Sequence, residues 1–337
     1  MTLPDAPGAQ EARAPTCYRH PDRQTYISCV RCGRSICPEC MRPAAVGFQC
    51  PEEVKEAQRS VRQPRTAFGG RVSAGRNATT VLVALNVVVF LILVGSGTGF
   101  ISGSISLLFA RFADIPGRVV VIGPNGAQTV LQGVANGDYY RLVTAMFLHF
   151  GVIHLALNMY VLMLVGPTLE QSLGRVRFLA LYFIAGIGGS VATFVFGSPT
   201  EIAAGASGAI FGLFGGYYVI ARRIGASTGP IVATIVLNLV ISFSVTFIDV
   251  RAHLGGLVTG AAVAAVLAYA PTARRTVVQA GGSLAILALL LGLAAVHAPS
   301  VRRVDRSAPV AAVPVSLPAP ASRPGAPPQP PAPAATR

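Results

Sequence analysis

The chain has 337 residues, 52% of them hydrophobic and only 12% charged, with a mean hydropathy of +0.58. A soluble protein carries about a quarter charged residues, so a soluble globular fold is excluded and a polytopic membrane protein is implied. The formal net charge of +14 does not point to nucleic acid, which is not expected as a partner. The arginines gather beside apolar runs, at Arg59, Arg62, Arg65, Arg71, Arg76, Arg222, Arg223, Arg274 and Arg275, where they report topology and contact with anionic lipid.

In chain order, residues 1–16 are polar and small and are expected to be disordered. A module over 17–53 follows, with the spacing Cys17-x2-His20-x8-Cys29-x2-Cys32-x4-Cys37-x2-Cys40-x9-Cys50. Close pairs of this kind hold structural zinc on paired knuckles. The six cysteines allow three disulfides instead, but an arginine-rich linker before the first apolar segment puts the module in the cytoplasm, where thiols stay reduced. A cross-braced pairing gives one complete site from Cys17, His20, Cys37 and Cys40. The other has Cys29, Cys32 and Cys50, with Glu53 or water as the fourth ligand. The module resembles B-box-like zinc-binding domains, which implies a cytoplasmic protein partner and no role for the metal in catalysis.

Residues 54–77 read as a basic linker, and no apolar stretch before it is suited to a signal peptide. Seven apolar segments long enough to cross a bilayer of about 30 Å follow, at roughly 79–96, 142–166, 178–196, 206–221, 230–248, 252–270 and 277–296. Residues 97–140 make a connection too long for a plain turn. It carries the apolar patch 105–110 and is expected to lie partly in the membrane interface. The first six segments group as a core over 78–270, the seventh occupies 271–297, and the Pro/Ala-rich tail over 298–337 is expected to be disordered. Arg222-Arg223 and Arg274-Arg275 end the fourth and sixth segments. The reading is therefore a multi-pass plasma-membrane protein with a cytoplasmic N-terminus and an extracellular C-terminal tail.

Four polar residues fall at matched depth near the outer ends of three segments: His154, Asn158, Ser207 and His253. Each is expensive in lipid without a partner. A serine becomes a nucleophile when a neutral histidine takes its proton, which makes Ser207 and His253 a minimal dyad. Asp249, four residues before His253, is the nearest carboxylate but belongs to the preceding loop, so a triad is disfavoured. His154 and Asn158, at i and i+4, face one way and suit donation to an oxyanion. Phe211, one turn after Ser207, offers an aromatic face to the imidazole. The bland alternative is that these residues only bond helices together. His149 reads as a structural hydrogen-bonder and His297 as interfacial.

These residues resemble the rhomboid intramembrane serine proteases. The matching strings are Tyr140-Arg141-Leu142-Val143-Thr144, Phe147-Leu148-His149, His154-x3-Asn158, Glu170-x3-Gly174, Gly205-Ala206-Ser207-Gly208 and Ala252-His253-Leu254-Gly255-Gly256. The resemblance implies an all-α polytopic fold, a six-helix core with one extra C-terminal transmembrane helix, preceded here by the small zinc-binding domain. It also implies Ser207 as nucleophile, His253 as base, His154 and Asn158 as oxyanion donors, and Arg141 and Glu170 as structural positions. The implied substrates are single-span membrane proteins, cleaved near the outer face of the bilayer. Tyr140 stands where the family often has Trp, and Phe211 where some members have Tyr. The competing readings are a non-catalytic membrane protein that holds client helices and recruits a partner through its zinc module, and a transporter. The absence of Asp, Glu, Lys or Arg deep within a segment weighs against transport.

Overall fold

The computed structural model describes residues 14–60, 65–71, 77–101, 104–123, 125–245, 248–307 and 312–316. The expected coil over 1–16 lies outside these up to residue 13, as do Arg62, Arg76 and the tail from 317. The chain divides into two compact units, at 1–64 and 65–337.

The first unit is small and built on its cysteines. A two-stranded antiparallel ribbon, β1 (Arg42–Pro43) and β2 (Phe48–Gln49), is followed by α1 (Pro51–Ser60). The core of the unit is Ile36 together with Cys17, Cys29, Cys37, Cys40 and Cys50, all buried. So few apolar side chains cannot offset the entropy of ordering the chain. The stretch read as linker from residue 54 is instead helical to Ser60.

The second unit is mainly helical. Its elements are α2 (Asn77–Gly95), α3 (Leu107–Phe112), β3 (Arg118–Ile122), β4 (Gln128–Gln132), α4 (Arg141–Thr144), α5 (Val152–Leu173) and α6 (Arg175–Phe196). After them come α7 (Ser207–Ile224), α8 (Gly229–Ser244), α9 (Val250–Tyr269), α10 (Arg275–Ser307) and β5 (Ala312–Pro314). Five stretches are long and apolar enough to cross a membrane by themselves: Ala78–Gly95, Val152–Leu173, Arg175–Phe196, Val250–Tyr269 and Thr272–Asp305. The fourth and fifth expected segments fall short. α7 has 18 residues, many of them glycine, and most are buried among its neighbours, so it is not selected for contact with lipid. α8 has 16 residues and ends at Ser244, about 24 Å at 1.5 Å per residue. Among its residues only Ile231 and Ser242 are buried.

The centre of the unit is a trio of helices, α6, α7 and α9, each packed against the other two. Glycines set that spacing: a Cβ on Gly256 would overlap the carbonyl oxygen of Gly208, and one on Gly260 would overlap that of Gly212. Backbone meets backbone, the mode of packing that small residues permit in a membrane. Glu170, at the last turn of α5, accepts from the Ala78 and Thr79 amides, both at 3.0 Å, and from Thr79 Oγ1 at 2.8 Å. The carboxylate thus satisfies free donors at the positive end of α2. Arg141 is buried and donates to the carbonyls of Ala110 (2.9 Å) and Ala113 (2.7 Å), with Asp138 at 3.2 Å. It pins the long connection to the start of α4, as a structural residue would.

Three features depart from the sequence expectation. The connection over 97–140 is an organised layer, with α3 capped by Ser106 and a β3–β4 hairpin over a core that includes Phe109, Ile115 and Val121. A three-stranded sheet in the order β4-β3-β5 therefore sits on an otherwise helical fold. The tail is ordered well past residue 298. α10 runs to Ser307 through Pro299, and β5 pairs in parallel with β3. A proline inside a helix costs about 3 kcal/mol, offset here by burial of Ala294, Ala298 and Val301 against Val134, Leu142 and Phe194. Asp305 then binds Arg118, accepting from Nε at 2.7 Å. The third departure is the 65–71 turn, read as linker, which inserts Phe68 into the main core.

Candidate functional site

Ser207 opens α7 and is half-buried. The turn before it is held by the Gly205 amide, which donates to Ala145 O at 2.9 Å. Gly205 has φ +139°, and a Cβ there would lie 2.9 Å from His154 Cε1 and 3.6 Å from Ser207 Oγ. Only glycine lets the His154 ring come this close to the serine turn.

His253 sits in the first turn of α9, which Asp249 caps by accepting from the Arg251 and Ala252 amides at 3.0 and 3.3 Å. Asp249 also accepts from Arg251 Nε at 3.1 Å and from Thr193 Oγ1. Its side chain serves the helix end, in keeping with the disfavoured triad. The imidazole stacks on Phe211, with centroids 4.0 Å apart and planes at 12°. Since Phe211 is one turn along α7 from Ser207, this stack brings the imidazole to the opening of that helix. The backbones agree, because a Cβ on Gly208 would lie 3.3 Å from Ala252 O. Among the described residues no hydrogen bond joins Ser207 Oγ to the ring.

The sequence reading missed one partner of that ring. Ser242 Oγ on α8 lies 2.7 Å from His253 Nδ1 and donates its hydrogen to Asn238 O at 2.7 Å. With that hydrogen committed, Ser242 Oγ accepts from Nδ1–H, and a neutral ring then carries its free lone pair on Nε2. That is the tautomer a general base needs. Asn238 and Ser242 repeat at i and i+4 along an apolar helix, the same signal that singled out His154 and Asn158.

His154 Nδ1 accepts from the Phe150 amide at 3.4 Å, which leaves the proton on Nε2, the atom nearer Gly205. Asn158 is buried, and its Nδ2 donates to His154 O at 2.9 Å. His149 is fully buried edge-on to His154 at 5.0 Å, and neither of its nitrogens has a hydrogen-bond partner among the described residues. His297 packs edge-on against Phe194 at 5.6 Å, well within α10 rather than at its end.

In the first unit the expected metal residues separate into two groups, Cys17, His20, Cys37 and Cys40, and Cys29, Cys32 and Cys50. His20 Nδ1 lies 3.8, 3.3 and 3.4 Å from the sulfurs of Cys17, Cys37 and Cys40. A zinc tetrahedron with Zn–N near 2.0 Å and Zn–S near 2.3 Å has N–S edges of roughly 3.5 Å, so the first group fits the ion. All six cysteines are free thiols, and the Cys32–Cys50 separation of 3.7 Å is far beyond a disulfide bond. Glu53 is engaged by Arg31 Nε at 3.1 Å, and the second group is three thiols.

The Rhomboid domain family model matches residues 136–270, the stretch from the end of the long connection through α9. The rhomboid protease GluP of Bacillus subtilis is 44% identical over 142 residues, 40% of this chain and 27% of that protein. The putative rhomboid protease YdcA of the same organism is 39% identical over 154 residues, 44% of this chain and 77% of YdcA. RHOMBOID-like protein 6, mitochondrial, of Arabidopsis thaliana is 31% identical over 214 residues, 57% of this chain and 69% of that protein. The chain thus spans about a quarter of GluP and most of the other two. With the helices α5 to α9 in the matched stretch, a multi-pass set of apolar helices and the likeness to YdcA over most of its length, the chain belongs to the rhomboid family.

Proposed function

We propose that this chain is a serine endopeptidase that cleaves transmembrane helices near the outer membrane face, with Ser207 as nucleophile and His253 as base. The observation that carries the reading is the aromatic and hydrogen-bonded seat of His253, between Phe211 and Ser242, at the helix opening that bears Ser207. In the reaction Ser207 Oγ attacks the scissile carbonyl and its proton passes to His253 Nε2. The oxyanion is met by His154 Nε2–H, Asn158 Nδ2–H and a backbone amide near Ser207. Collapse expels the amine, which takes the proton from His253. Water then hydrolyses the acyl-serine, giving its proton through His253 back to Ser207 Oγ. A fluorophosphonate probe on the full chain tests the assignment. A single adduct on Ser207, lost in His253→Ala, is expected; an adduct that survives His253→Ala contradicts it.

A substrate helix must reach this site from the lipid. The least buried neighbour of the site is α8, and we assign it, with the 247–251 loop, as the gate; Phe247 lies outside the described residues. A disulfide tether between α8 and α5 should stop turnover of a helix, and undiminished turnover refutes the gate. The arginines at the inner ends of α7 and α9 support a plasma-membrane protein with its N-terminus in the cytoplasm and its C-terminus outside. Cys17, His20, Cys37 and Cys40 would hold a structural zinc ion that folds the first unit, and Cys29, Cys32 and Cys50 a second. That unit would present a surface to a cytoplasmic protein.

A further inference from the structure

At the end of the bundle away from Ser207, where α5 ends and α6 and α10 begin, a cavity of about 280 Å³ opens to solvent. It is lined by Arg65, Thr66, Arg177, Thr272, Arg274 and Arg275, among others. Four guanidinium groups thus converge on a small volume. Among the described residues no carboxylate pairs with any of the four; Glu170, the nearby acid, is held by Thr79 and lies 3.8 Å from Arg175. The bonds these arginines do make are to neutral acceptors, from Arg177 Nε to Gln279 Oε1 at 2.6 Å and from Arg275 Nη1 to Ala67 O at 3.2 Å. Gln279 is itself buried and tied to Phe68 O and Leu267 O, so Arg177 is held in place, and among the described residues its other donors have no partner. Gly69 lies between the two side chains: a Cβ there would come 2.9 Å from Arg275 Cδ and 3.7 Å from Arg177 Nη2.

Positive charge held in place without a counter-charge, beside the threonines Thr66, Thr272 and Thr276, is the chemistry of a phosphate site. The volume falls just short of the roughly 300–1,000 Å³ of drug-sized pockets and suits a headgroup. What lies above it decides the source of the phosphate. Val277, Val278 and Leu284 on the following turns of α10 are exposed apolar side chains, a surface for acyl chains leading away from the arginines. We propose that this cavity binds the phosphate of an anionic phospholipid in the membrane leaflet at that end of the bundle, with its acyl chains along α10. The proposal rests on the chain being embedded in a membrane and not on its being a protease.

The test uses the full chain, delipidated in a neutral detergent and titrated with phosphatidylglycerol or phosphatidylcholine, with retained lipid counted by native mass spectrometry. One phosphatidylglycerol retained in preference to phosphatidylcholine is expected. Arg275→Gln and Arg274→Gln should each weaken that preference about fivefold, from an attraction near 1 kcal/mol per basic residue. Arg274→Gln removes no side-chain hydrogen bond and guards against misfolding. Arg222→Gln, basic and exposed at the end of α7, should leave the preference intact. Equal retention of the two lipids overturns the proposal, as does an equal loss in Arg222→Gln. Displacement of the lipid by millimolar inorganic phosphate would make the cavity a site for free phosphate and overturn the lipid assignment.

Discussion

Replacing Ser242 by alanine removes the one hydroxyl that fixes the tautomer of His253 while leaving Ser207, His253 and Phe211 in place. In the resting protein the bond is between neutral groups and contributes about 0.5–1.5 kcal/mol. In the proposed acylation the ring becomes an imidazolium, and a hydrogen bond to a charged group contributes about 1.5–3 kcal/mol. The excess in the transition state, about 1–1.5 kcal/mol, is what enters kcat, and each 1.36 kcal/mol is tenfold, so Ser242→Ala should lower kcat by roughly five- to tenfold. Substrate binding does not use this bond, so KM should hold. Stability should fall by about 1–3 kcal/mol, because the buried His253 Nδ1–H loses its acceptor, a loss eased slightly by the better helix propensity of alanine. The assay is steady-state cleavage of a single-span reporter helix in lipid vesicles, with Ser242→Thr as the variant that restores the hydroxyl. A kcat for Ser242→Ala within about twofold of wild type would refute the reasoning, because the tautomer would then be set elsewhere.

Gly205→Ala places a methyl group against His154 in a backbone conformation that L residues avoid; it should cost about 1–3 kcal/mol in thermal unfolding and also slow fluorophosphonate labelling. Unchanged labelling would mean that His154 is not held by this turn. Asp305→Asn weakens the bond with Arg118 that fastens the end of α10 to β3. Proteolysis beyond residue 307 should accelerate several-fold while helix cleavage stays near wild type. Cys40→Ser should lower bound zinc by one equivalent per chain and expose residues 14–60 to proteolysis. An unaltered metal content would remove Cys40 from the ligand set.

Five of the helices were legible because each is a long apolar run, and the candidate site because histidine, asparagine and serine are conspicuous against apolar residues. Position along the helices could be read from sequence: Ser207, His253 and His154 all fall in the first turn of their helices. The cross-braced cysteine pairing was legible from spacing alone. Ser242 was not, because a serine bonding back to its own helix is ordinary in a membrane segment, and only the fold brings α8 against His253. The β3–β4 hairpin and the continuation of α10 through Pro299 were hidden for a related reason. Both are stabilised by contacts distant in sequence, Arg118 with Asp305 and Val120 with Ala312, which override local signals for loop and coil.

The central claim is that Ser207 and His253 cut a transmembrane helix. Its most direct test is cleavage of a panel of single-span reporter helices by the purified full chain in lipid vesicles, comparing wild type with Ser207→Ala and His253→Ala. The account predicts cleavage near the outer end of at least one reporter and its loss in both variants, with helical content and thermal unfolding unchanged. Cleavage that survives Ser207→Ala would contradict it.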